Sequence, residues 1–158
     1  MINYLKKYAA QFIAAVVLVA GIAVPVAAAT NEISVEPKGG STPYIDYTNL
    51  KMYSGIVAYT SSATCTSQKA AVKLTKVKYS SDGEKTPSDS TAKVSVSTYA
   101  ASNNSRISTP ISIQASTTTV DLPSAAASYP SQSIKAGFSK SSFNGVYYLT
   151  GIFYYNGT

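Results

Sequence analysis

The stretch "AVKLTKVKY" at residues 71–79 decides the fold class. Val72 and Leu74 lie in one phase of a two-residue alternation, Val77 and Tyr79 in the other. Period-two alternation marks a strand with one buried face, because successive side chains leave a strand on opposite sides. A change of phase inside one strand calls for an extra residue, so the spacing predicts a bulge near Thr75 and Lys76.

The same alternation recurs along the chain. In "TAKVSVSTY" at 91–99, Ala92, Val94 and Val96 oppose Lys93, Ser95 and Ser97. "ISIQA" at 111–115 alternates similarly, and "SIKAGF" at 133–138 turns Ile134, Ala136 and Phe138 inward. No segment beyond Thr30 has the 3.6-residue periodicity and cap of a helix. Turn signals separate the runs: "PKGGSTP" at 37–43, "SSDGEKTPSDS" at 80–90, "SNNS" at 102–105 and "LPSAAASYP" at 122–130. Strands are expected at 32–36, 44–48, 51–60, 68–79, 91–99, 107–116, 118–122 with 132–138, and 146–155. Short strands punctuated in this way predict an all-β fold, a single antiparallel β-sandwich of about eight strands, with a barrel as the alternative closure.

Ahead of the strands, Lys6 and Lys7 precede an apolar run from Ala9 to Val26, broken by Gln11, then Pro25 and Ala27-Ala28-Ala29. A basic start, an apolar centre and small residues at alternate positions describe a secretory signal peptide. Cleavage is expected between Ala29 and Thr30, giving a signal peptide at 1–29 and one β-sandwich domain at 30–158. The run is also long enough to span a bilayer, so an uncleaved membrane anchor is the alternative. No cysteine stands at the junction to carry a lipid, and no second apolar run follows. The expected destination is extracellular, and the short Lys-Lys start with few cysteines points to a Gram-positive bacterial source.

Composition excludes several chemistries. The chain has no histidine, one cysteine and no tryptophan. Without histidine there is no Ser-His-Asp or Cys-His relay and no ordinary zinc site. The Ser-x-x-Lys match at Ser90 and Lys93 opens an alternating strand, which sends the two side chains to opposite faces. Of the carboxylates Glu32, Glu36, Asp46, Asp82, Glu84, Asp89 and Asp121, three (Asp82, Glu84, Asp89) share one loop whose spacing matches no EF-hand. A non-enzymatic protein with no cofactor or metal is therefore expected. Cys65 has no cysteine to pair with in this chain and reads as a small buried hydrophobe, with an intermolecular link as the alternative.

The formal net charge is +6, and the part beyond the signal stays basic, which suits an anionic surface or polymer. Lys73, Lys76 and Lys78 are the one lysine cluster. Arg106 is the only arginine, and no aromatic-basic motif argues for nucleic acid.

The tail "GVYYLTGIFYYNGT" at 145–158 is aromatic on both faces. Val146, Tyr148, Thr150, Ile152 and Tyr154 share one face, and Tyr147, Leu149, Gly151, Phe153 and Tyr155 the other. The second set is more apolar, so Leu149 and Phe153 are assigned to the core and Tyr148 and Tyr154 to the outside, with a central strand covered on both faces as the alternative. Segment 51–60 shows the same doubling, with Tyr53 and Tyr59 opposed to Met52, Ile56 and Ala58. If the two segments pair, Tyr53, Tyr59, Tyr148 and Tyr154 form a tyrosine-rich binding face. Tyrosine buries a ring at low entropy cost and keeps a polar tip, which suits recognition. The expected function is a secreted cell-surface or extracellular module that binds cell-wall polymer, a surface glycan or a protein, or self-associates through an open edge of its C-terminal strand. The alternative is a membrane-active toxin or bacteriocin-like protein inserting the Ser/Thr-rich hairpin at 90–120.

Overall fold

The phase slip in 71–79 is a bulge in the structure. The computed structural model describes residues 31–32, 37–40, 42–66, 69–83, 85–122 and 131–158. The expected signal peptide and cleavage site lie outside them, as do residues 33–36 of the first expected strand. The described strands are β1 (Asn31–Glu32), β2 (Ile45–Tyr53), β3 (Ala58–Tyr59), β4 (Ala63–Thr64), β5 (Ala70–Ser80), β6 (Ser88–Asp89), β7 (Val94–Ala100), β8 (Ile111–Ile113), β9 (Val120–Leu122), β10 (Ser133–Ser139) and β11 (Val146–Tyr154). None of the described residues is helical, and no helix among them is long and apolar enough to cross a membrane.

The strands form two sheets. The first runs β1-β3-β10-β7-β8, with β4 also on β10; the second runs β2-β11-β5-β6, with β9 also on β5. All pairings are antiparallel except the two-residue β1–β3 pair. Each sheet ends in its own edge strands, so the barrel alternative is not realised. One apolar cluster draws on both sheets: Ile45, Leu50, Met52, Val72, Leu74, Val77, Leu149 and Phe153 from the second, Val94, Val96, Ile134, Ala136 and Phe138 from the first. Tyr47 of β2 meets Phe138 of β10 across it, ring centroids 5.2 Å apart. Cys65 is fully buried in this cluster, as its composition-based reading expects.

Opposite β11, Lys76 faces Thr150 while Leu74 faces Gly151, so Thr75 is the extra residue. The β2 side of β11 slips at the same level: Leu50 faces Leu149 and Tyr47 faces Gly151. Asn49 there adopts a left-handed φ of 53°, a conformation asparagine tolerates better than most residues. Thr150 ties both irregularities together. Its hydroxyl accepts from Asn49 N at 3.1 Å, and its carbonyl accepts from Thr75 Oγ1 at 3.0 Å. The phenol of fully buried Tyr47 crosses over Gly151 and donates to the Lys73 carbonyl at 3.3 Å. Burial holds that phenol well above its usual pKa, so it stays a donor.

Two expectations are corrected here. Segment 51–60 is not one strand: β2 ends at Tyr53, the chain turns at Ser54-Gly55 with Gly55 at φ 74°, and β3 joins the other sheet. Segment 107–116 pairs as a strand only over Ile111–Ile113, after Pro110. Serine and threonine fill gaps that such short strands leave. Thr60 Oγ1 accepts from Ala136 N at 3.0 Å, and Ser108 Oγ from Thr98 N at 2.8 Å.

The turn at 80–90 is organised by Asp82. Its carboxylate accepts from the hydroxyls of Ser80 and Thr86 and the amides of Lys85 and Thr86. The hydroxyl of Ser80 and then that of Thr86 do most to lower its pKa from 3.8 to about 2. A depressed folded-state pKa contributes stability that is complete above the unfolded value and lost as pH falls through the folded one. The melting temperature should therefore fall between about pH 4 and pH 2, and Asp82→Asn should flatten that part of the profile. Parallel profiles for the two proteins would remove Asp82 as a cause.

Candidate functional site

The register of β11 places the residues of β2 and β5 that share the outer side of the second sheet with it. Tyr148 lies between Lys51 of β2 and Lys78 of β5. Thr150 lies beside Lys76, and Ile152 between Asp46 and Lys73. Val146 lies between Tyr53 and Ser80, and Tyr154 beside Ala71. The outer side thus carries Tyr53, Tyr148 and Tyr154 among Lys51, Lys73, Lys76 and Lys78. Tyr44, just ahead of β2, packs against Tyr154 at 6.1 Å between centroids. Lys38 sits over the Tyr44 ring at 5.4 Å and pairs with Asp46.

The tyrosines differ in access. Tyr53, Tyr44 and Tyr154 are half-buried, while Tyr148 is only 9% exposed. Lysine stems lie along apolar surface and keep their charge in water, and half-buried Lys51 and Lys78 flank the Tyr148 ring on both sides. Tyr148 is thus the floor of the face and Tyr154 its accessible ring.

Tyr59 does not join this face. It lies on β3 in the first sheet, 5% exposed, opposite Gly137. Its ring meets Tyr99 edge-on at 5.1 Å, and Lys135 Nζ lies 4.3 Å from the ring centre. The two rings close over Gly137, where a Cβ would come within 2.6 Å of Tyr99 Cδ2 and 2.9 Å of Tyr59 Cε1. This second tyrosine pair is therefore packed structure on the other sheet. Of the four tyrosines expected to cluster, three share a face and the fourth is separated by the turn at Gly55.

The position of β11 corrects another expectation. Both of its edges are hydrogen-bonded, to β2 and to β5, so the C-terminal strand has no open edge over that span for self-association. Of the segment 90–120 named for membrane insertion, the paired strands pack on the first sheet while most of residues 101–112 are exposed. Val94, Val96 and Ile113 are in the core, and β7 is paired with β10 along its length.

Sequence reading missed Tyr44 and Lys51 as members of the face. Both were legible: Tyr44 continues the outward phase of Asp46, and Lys51 continues that of Tyr53. What hid them was the irregularity at Thr48-Asn49, which resets the alternation inside β2. Lys73, Lys76 and Lys78 were visible as a cluster, but their common direction depends on the bulge. Among the described residues, no three His, Cys, Asp or Glu side chains gather as a metal site. An open depression lined by Lys93, Ser112, Ile113, Gln114, Ser116 and Val120 carries a single charged side chain. Comparison with protein-family models, curated proteins and solved structures finds no match.

Proposed function

We propose that residues 30–158, after removal of a signal peptide at 1–29, form a secreted, non-enzymatic β-sandwich that binds a cell surface. The supporting observation is the outer side of the second sheet, where Tyr44, Tyr53, Tyr148 and Tyr154 lie among Lys38, Lys51, Lys73, Lys76 and Lys78. Aromatic rings with polar tips supply contact area, and the lysines supply attraction to an anionic surface. The two sheets sharing one apolar cluster fit a sandwich, with the binding side of the second sheet turned away from that cluster.

The test is retention of the purified protein on whole cells and on isolated wall material. The Tyr44→Ala/Tyr154→Ala double variant removes the accessible ring pair. Retention should weaken about tenfold, the scale of one central aromatic contact worth about 1.4 kcal/mol. Unchanged retention by a folded double variant would overturn the assignment of this face.

A further inference from the structure

Resting on the surface-binding reading, we propose that the ligand of this face is a linear phosphodiester polymer without bases, lying along β5 on Lys73, Lys76 and Lys78. The argument begins with the bulge. Residues three apart on a regular strand point to opposite sides, so Lys73 and Lys76 would be separated by the sheet. The extra residue Thr75 turns them the same way, and the three lysines face Ile152, Thr150 and Tyr148, alternate residues of β11. Alternate residues of a strand are about 6.6 Å apart. The bulge therefore sets three lysines in a row on one side of the sheet, opposite alternate residues of β11. Lys51 adds a fourth positive charge across Tyr148.

Such a row is unfavourable by itself, because neighbouring like charges on one sheet face repel. Exposed Asp89, directly opposite Lys78 in register, pairs with Lys76 at 3.5 Å and partly compensates that end of the row. Lys73 and Lys78 form no ion pair among the described residues. Asp46 is engaged by Lys38, and Asp121 lies opposite Ala71 at the end of the row. A polymer with regularly repeated single negative charges relieves this repulsion along its length, whereas one isolated anion meets one lysine. The rings argue against a nucleic acid strand. Single-strand binding uses open aromatic faces on which bases stack, but Tyr148, the ring within the row, is only 9% exposed and is flanked by two half-buried lysines. A phosphodiester chain without bases needs only the charges and the polar tips.

The experiment uses the purified secreted protein with poly(glycerol phosphate) as the probe, titrated over a range of salt concentrations. Oligo-thymidylate of matched charge serves as the base-bearing comparison. Lys73→Gln/Lys76→Gln/Lys78→Gln is compared with Lys85→Gln/Lys93→Gln/Arg106→Gln, which removes the same charge from exposed positions elsewhere. The row variant should lose at least tenfold in affinity, and its slope of log affinity against log salt should flatten by about 2, the counterion release expected for three contacts to a flexible polyanion. The control should lose less than threefold. Equal losses in the two variants would show that net charge alone matters and would overturn the row. Tighter binding of oligo-thymidylate would overturn the choice of polymer. Absence of probe binding while cells are still retained through Tyr44 and Tyr154 would overturn this inference and leave the surface-binding reading standing. Loss of both would remove both.

Discussion

Gly151→Ala should destabilise the protein by about 3 kcal/mol or more, although it adds one methyl group to a strand. The methyl would point into the core side of β11, where Tyr47 passes over Gly151 to reach the Lys73 carbonyl. A Cβ there would lie 2.7 Å from Tyr47 Cζ, and closer still to the Tyr47 hydroxyl and the Lys73 carbonyl oxygen. The carbonyl is backbone held by the bulge, so it cannot swing aside as a side chain would. Tyr47 would have to withdraw, leaving a buried phenol without its acceptor, a loss of about 1–3 kcal/mol in its own right. Urea denaturation measures the effect. Tyr47→Phe alone should cost about 1 kcal/mol, the net worth of one hydrogen bond. Combined with Gly151→Ala it should recover part of the loss, because it removes one of the two obstacles. A Gly151→Ala protein within about 1 kcal/mol of the parent, the range of ordinary substitutions, would show that this crossing is not a structural keystone.

Phe153→Ala should be as damaging, at about 3–5 kcal/mol, a large part of the ~5–15 kcal/mol that holds a domain together. Phe153 is fully buried between Ile45 of β2 and Val72 of β5, in the cluster shared by both sheets. Its neighbour Tyr154 is half-buried on the other side and touches Tyr44. Tyr154→Ala should cost only about 1 kcal/mol, the scale of one aromatic pair, while surface retention falls. The two substitutions are adjacent in the chain and opposite in effect because successive residues of a strand face opposite sides. Denaturation curves for both, run beside the retention assay, test the assignment. Equal destabilisation would mean that both faces of β11 are packed, and the argument for a recognition surface would fail.

Alternation is a local property, and what depended on it was readable from the chain itself. The all-β class, the bulge at Thr75, the inward direction of Leu149 and Phe153 and the burial of Cys65 all followed from residue type and parity. Each is settled by neighbours within a few positions, and the structure agrees with all four. Which strand lies beside which is a different matter, because pairing is made by contacts between residues far apart in sequence. Tyr53 and Tyr59 are six positions apart and have the same parity, yet the turn at Gly55 sends them to different sheets. The doubly apolar tail suited either a covered central strand or one that offers a face to a partner, and it lies between β2 and β5 because its backbone pairs with two segments far away in sequence. Tyr148 has the outward parity of Tyr154, and only its neighbours Lys51 and Lys78, brought from other strands, reduce it to the floor of the face. The sequence alone determined the faces of each strand; the tertiary structure decided which faces met, since parity is written in the chain and proximity arises only when distant segments pack.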